Sequence, residues 1–119
     1  PQRSALPADG PDQADEQIVQ QVLAGNTALF ELLMRRYNER LYRAARAITR
    51  DDREAEDVMQ QAYVNAFTHL RQFNGSARFS TWLLRITVNE SLARIRRRDR
   101  YSAFDDEREI VEAIVRRLG

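Results

Sequence analysis

"DDREAEDVMQQAYVNAFTHL" occupies residues 51–70, and its apolar members Ala55, Val58, Met59, Ala62, Tyr63, Ala66, Phe67 and Leu70 recur at steps of three and four. A chain that turns once every 3.6 residues brings such positions onto one side, so the stretch predicts a helix with a single buried face. Asp51 or Asp52 supplies the side-chain oxygen that the first unpaired amides of a helix require. The stripe is expected to be core, and the rest of the fold must be built around it.

The same period continues on both sides. "DEQIVQQVLAG" aligns Ile18, Val19, Val22 and Leu23, with Asp15 as the expected N-cap and Gly25 at the C-terminus. From Asn26, another cap candidate, Leu29, Leu32, Leu33, Tyr37, Leu41, Ala44, Ala45 and Ile48 extend a second helix to about Thr49. After the third helix, "FNGSA" breaks the pattern with an Asn-Gly turn signal. Ser80 is then the expected cap of a fourth helix, with Phe79 and Leu84 spaced as a hydrophobic staple. A fifth stripe, Ile110, Val111, Ile114, Val115 and Leu118, has acids early and arginines late, as the helix dipole favours.

No strand-like alternation or repeat competes with this period, so the fold class is all-α, a compact bundle of four to five helices. Residues 1–13, "PQRSALPADGPDQ", are expected to be a disordered tail, residues 14–100 the helical domain, and residues 101–119 a linker or an additional C-terminal helix. Without cysteine there are no disulfides or thiolate metal sites, and no run of about 18 apolar residues could cross a bilayer. A soluble, cytoplasmic protein is expected. The single histidine, His69, lies beside the apolar stripe with no convergent carboxylates, so neither catalysis, a metal nor a cofactor is expected.

Net charge is only +1, but it is unevenly placed. Residues 51–57 hold five acids and one arginine, whereas residues 78–100 hold seven arginines against Glu90 and Asp99. An acidic helix start and a basic helix end fit two partners of opposite sign. All nineteen basic residues are arginine. That bias fits phosphate recognition, and a GC-rich genome produces it equally well.

Two helical faces are left over once the core is assigned. On the third helix Asp57, Gln60, Gln61, Val64, Asn65 and Thr68 lie together, opposite the apolar stripe. They form either a solvated face with one stray valine or a strip for a helical protein partner carrying arginines. On the fourth helix Leu84, Val88, Ser91 and Ile95 point inward, while Trp82, Arg85, Asn89, Ala93 and Arg96 share another face. Either Trp82 belongs to the core and the arginines are solvated, or this is a DNA surface. In the second case Trp82 stacks on an unpaired base, Asn89 reads a base edge, and Arg85, Arg94, Arg96, Arg97 and Arg98 neutralise phosphates.

The order of "GNTALFELLMRRYNERLYRAA", "DDREAEDVMQQAYVNAF", "FNGSARFSTWLLRITVNESLA" and the closing "RRR", over roughly residues 15 to 98, resembles region 2 of bacterial sigma factors of the extracytoplasmic-function (ECF) group. The resemblance implies a transcription initiation factor domain with two partners. Its acid-Val/Leu-x-Gln helix docks on the clamp helices of the RNA polymerase β′ subunit, a role that falls on Asp57, Gln60, Gln61, Val64 and Asn65. The following loop and helix recognise and open the promoter −10 element and capture an extruded nontemplate-strand base. Asn74, Gly75, Ser76, Ala77, Arg78 and Phe79 correspond to that pocket, Trp82 to an aromatic at the edge of the bubble, and Asn89 and the arginines to the upstream duplex.

An anti-sigma protein covering the same surfaces is a further partner that the resemblance implies. The chain departs from the pattern at Gln61, where most relatives carry an acid, so a salt bridge becomes a neutral hydrogen bond. Tyr63 and Phe67 replace the usual Phe and Trp. No stretch matches the second family domain, the helix-turn-helix for the −35 element, so a fragment or an unusual member is expected. The rival readings are a helical regulator of duplex DNA and a protein-only helical adaptor.

Overall fold

The computed structural model describes residues 12–99 and 107–119. Five α-helices follow in order: α1 (Asp12–Leu23), α2 (Phe30–Thr49), α3 (Asp52–Thr68), α4 (Phe79–Asp99) and α5 (Glu107–Leu118). Short 3₁₀ turns at Thr27–Leu29 and Leu70–Gln72 lead into α2 and out of α3. The all-α expectation holds, and α1 already includes Asp12 and Gln13 from the expected tail. The remainder of that tail, and residues 100–106, lie outside the described residues.

Local chemistry accounts for the helix ends. At the end of α1, Gly25 adopts φ +118°, a left-handed conformation that suits glycine. The Gly25 amide donates to the Val22 carbonyl and the Asn26 amide to that of Gln21, both at 3.0 Å, which is a Schellman closure. Between α2 and α3, Arg50 takes the left-handed conformation at φ 63° and Asp51 is the N-cap, accepting from the Glu54 amide at 2.9 Å. With so short a link the two helices run as an antiparallel hairpin. Small residues, Ala44, Ala45, Ala55 and Val58, are buried along this pair and allow close packing.

Helices α2, α3 and α4 pack on one another, α1 packs on α2 and α4, and α5 packs on α4. The central helix is therefore covered from two sides. Leu83, Leu84, Thr87, Val88, Ser91 and Leu92 are all buried, a wider arc than the Leu84, Val88, Ser91 and Ile95 line predicts. The buried hydroxyls are satisfied within the helix, Thr87 donating to the Leu83 carbonyl at 3.0 Å and Ser91 to that of Thr87 at 2.8 Å.

Several local assignments are corrected by tertiary structure. Asp15 does not cap α1 but sits inside it, fully buried, with its carboxylate accepting from the Arg36 guanidinium and the Tyr37 hydroxyl of α2. Asn26 makes no side-chain capping bond. Ser80 does not cap α4, which already begins at Phe79, and Phe79 and Leu84 are both buried in the core. Leu32 and Phe67, read as core, are 42% and 44% exposed.

Candidate nucleic-acid interface

The outer face of α3 exposes Asp57, Gln60, Gln61, Val64 and Thr68, with Asn65 half-buried at its edge. Val64 is 57% exposed. Phe67 extends this apolar strip while the edge of its ring system rests on Phe30, centroids 5.3 Å apart. The sequence does carry that signal: at 100° per residue, position 67 lies about 60° from Val64 and about 100° from Ala66. Counting steps of three and four hid it.

Polar side chains tie this face to α4. Gln61 Nε2 donates to Asn65 Oδ1 at 3.0 Å, and Asn65 Nδ2 donates to Glu90 Oε1 on α4 at 3.4 Å. Asp57 accepts from Arg94 Nη1 at 3.3 Å. Arg98 donates to Glu54 Oε1 at 2.7 Å and to the Thr49 carbonyl at 3.0 Å. Arg97 reaches Glu90 at 3.8 Å. Two of the arginines assigned to phosphate, Arg94 and Arg98, thus meet carboxylates of α3, because its acidic start lies beside the basic end of α4, and Arg97 meets Glu90 of its own helix. Arg85 is similarly engaged, with Glu112 of α5. Its hydrogen bond holds the Glu112 carboxyl below the usual carboxylate range, and the same bond holds the guanidinium above its ordinary value.

Between α3 and α4 runs an open cleft of about 560 Å³. Trp82, Ile86, Asn89, Ala93 and Arg96 form its α4 wall with Glu90, and Asn65, His69 and Gln72 face them. The structure therefore brings Trp82, Asn89, Ala93 and Arg96 together as the helical period predicts, but places Arg85 outside the cleft. Trp82 is half-buried and serves two surroundings. It packs on Phe73 and Phe79, at centroid distances of 5.5 and 5.6 Å, and also lines the cleft. His69, Gln72 and Ile86 were not among the residues the sequence assigned to a binding surface.

The loop entering α4 is shaped by two adjacent residues. Asn74 Oδ1 accepts from the Ser76 amide at 3.0 Å, and Gly75 turns the chain at φ +82°. Asn74, Gly75, Ser76 and Arg78 are exposed and Ala77 half-buried, on the side of the loop where Glu16 of α1 comes within 3.9 Å of where a Cβ on Gly75 would stand. Phe79 is different: fully buried against Tyr37, Phe73 and Trp82, it anchors the loop from below. Among the described residues no group of three His, Cys, Asp or Glu is arranged to hold a metal ion, and no helix is long and apolar enough to cross a membrane.

Comparison with known proteins follows the same outline. Residues 33–101 match the family model for sigma-70 region 2. The chain is 35% identical over 77 residues to the RNA polymerase sigma-H factor of Pseudomonas aeruginosa, a match covering 65% of this chain and 40% of the relative. It is 35% identical over 86 residues to the ECF RNA polymerase sigma factor SigM of Mycobacterium tuberculosis, covering 72% and 44%. With the ECF RNA polymerase sigma factor SigW of Bacillus subtilis it shares 31% over 80 residues, covering 67% and 43%. The matches thus span less than half the length of these relatives.

Proposed function

Because the chain belongs to the sigma-70 region 2 family, in its ECF group, we propose that it acts in transcription initiation, docking on the β′ clamp helices of RNA polymerase and opening the promoter −10 element. In this reading the loop at residues 74–78 captures an extruded base of the nontemplate strand. The observation that carries it is the juxtaposition of two chemically different faces on neighbouring helices. One is an apolar strip, Val64 and Phe67, edged by Asp57, Gln60 and Gln61; the other is a cleft with an aromatic wall, an amide and Arg96.

Magnitudes favour a division of labour between those faces. Unstacking DNA costs on the order of 1.4 kcal/mol per step, and a base stacked on an aromatic side chain returns roughly 1–3 kcal/mol. A domain this small holds few bases, so it cannot keep a bubble open alone. Fixing the domain to a polymerase that grips the remaining DNA removes the deficit. The exposed Val64 and Phe67 also offer an anti-sigma protein an apolar foothold over the docking face.

The test measures binding of the chain to isolated β′ clamp helices, and to single-stranded nontemplate and duplex forms of a −10 sequence. Docking should be lost in Asp57→Arg/Gln61→Arg but kept in Asn89→Ala/Arg96→Ala, and single-strand binding should show the reverse. Preference for duplex would favour a duplex-reading regulator instead. Docking without nucleic-acid binding would favour a protein adaptor.

A further inference from the structure

His69 closes α3 and is the only histidine of the chain. Its exposed side chain lines the α3–α4 cleft, which Trp82, Asn89 and Arg96 line from α4. Nδ1 lies 3.0 Å from the Asn65 carbonyl. A carbonyl oxygen only accepts, so Nδ1 carries a hydrogen and donates it, leaving Nε2 as the ring atom available to a ligand. An imidazole anchored in this way accepts through Nε2 when neutral, and donates with a positive charge when protonated.

The charged surroundings are mixed. Glu90 and Arg96 line the same cleft from α4, and Arg71 belongs to the adjoining 3₁₀ turn. Glu90 is already engaged by Asn65 at 3.4 Å and by Arg97 at 3.8 Å. The carboxyl end of α3, where His69 sits, is a position at which a helix dipole favours a cation.

We propose that His69 is a further nucleic-acid contact: its protonated ring, with Arg96, holds a phosphate of the single DNA strand that enters the cleft. The contact rests on the reading that this side of α4 meets promoter DNA. It makes strand binding tighten as pH falls, because the phosphate stabilises the protonated ring.

Fluorescence anisotropy of a labelled nontemplate −10 oligonucleotide on the full chain, at pH 6 and pH 8 over a salt series, reads this directly. Binding should be about two- to fivefold tighter at pH 6, the worth of one exposed ion pair. The log–log salt slope should steepen by about 0.7, one single-strand phosphate. His69→Gln should keep the affinity seen at pH 8 and lose both gains, whereas His69→Arg should give the pH 6 behaviour at both pH values. An unchanged pH dependence in His69→Gln, or none in the original chain, overturns the contact while leaving promoter binding intact. Failure of the oligonucleotide to bind at either pH overturns the promoter reading itself, and the contact with it.

Discussion

Arg85 and Glu112 form a two-pronged pair across the α4–α5 boundary, Nε to Oε2 at 2.6 Å and Nη2 to Oε1 at 3.0 Å. Both side chains remain about a third exposed, at 35% and 39%. Exposed pairs contribute only about 0.2–1 kcal/mol. Val111 and Val115, in contrast, are buried in the core.

Helix α5 is therefore held chiefly by its valines. Replacing both with Ala removes two methyl groups at each site, about 1.5 kcal/mol apiece, and should abolish hydrogen-exchange protection within α5. Glu112→Gln should leave most of that protection in place. The opposite ranking would make the ion pair the main fastening.

Asp15→Ala should destabilise the fold by about 1–3 kcal/mol, the cost of removing a buried acceptor from its donors. Its partners Arg36 and Tyr37 would each lose this acceptor, and Arg36 is largely buried. Chemical denaturation reads the difference. A loss below about 1 kcal/mol would mean that this pairing contributes no more than an exposed one.

Alkaline pH should act through Tyr63. Burial pushes its hydroxyl up from 10.0 to about 12, so the folded chain favours the neutral phenol. That contribution is fully present below pH 10 and is lost as pH rises towards 12. Unfolding midpoints followed from pH 9 to 12 should fall less steeply in Tyr63→Phe than in the original chain. Parallel curves would contradict the assignment.

Gly75→Ala places a Cβ on backbone at φ +82°, which costs a non-glycine residue roughly 1–2 kcal/mol. The loop is exposed and outside the core, so relaxation of the turn should impair capture of a nontemplate-strand base more than it lowers Tm. Asn74→Ala removes the acceptor for the Ser76 amide and should act in the same direction. Oligonucleotides differing at single −10 positions would separate a change in preference from a uniform loss of affinity. A uniform loss in both variants would remove the loop from base recognition.

Periodicity made the helices legible because core packing and helical twist impose the same spacing. It located Ala55, Val58, Met59, Ala62, Ala66 and Leu70 correctly, and the Asn-Gly turn before α4. It misread residues whose partners are remote in sequence. Asp15 resembles a cap until Arg36 arrives from another helix, and Arg94 and Arg98 resemble free cations until α3 supplies Asp57 and Glu54. The cleft residues on α4 share one helical face and could be read together. His69 and Gln72 could not, since their place opposite Trp82 depends on how two helices pack.

The pairing of Arg94 with Asp57 and Arg98 with Glu54 gives this molecule built-in counterions. A strand of DNA that claims those guanidinium groups displaces carboxylates covalently attached to the same chain, in place of freely diffusing anions. Fewer small ions are then liberated per contact, and association should respond to added salt less than the number of arginines near the end of α4 implies. Occupation of Asp57 by another macromolecule would release Arg94, so the two events become energetically linked without any helix having to move.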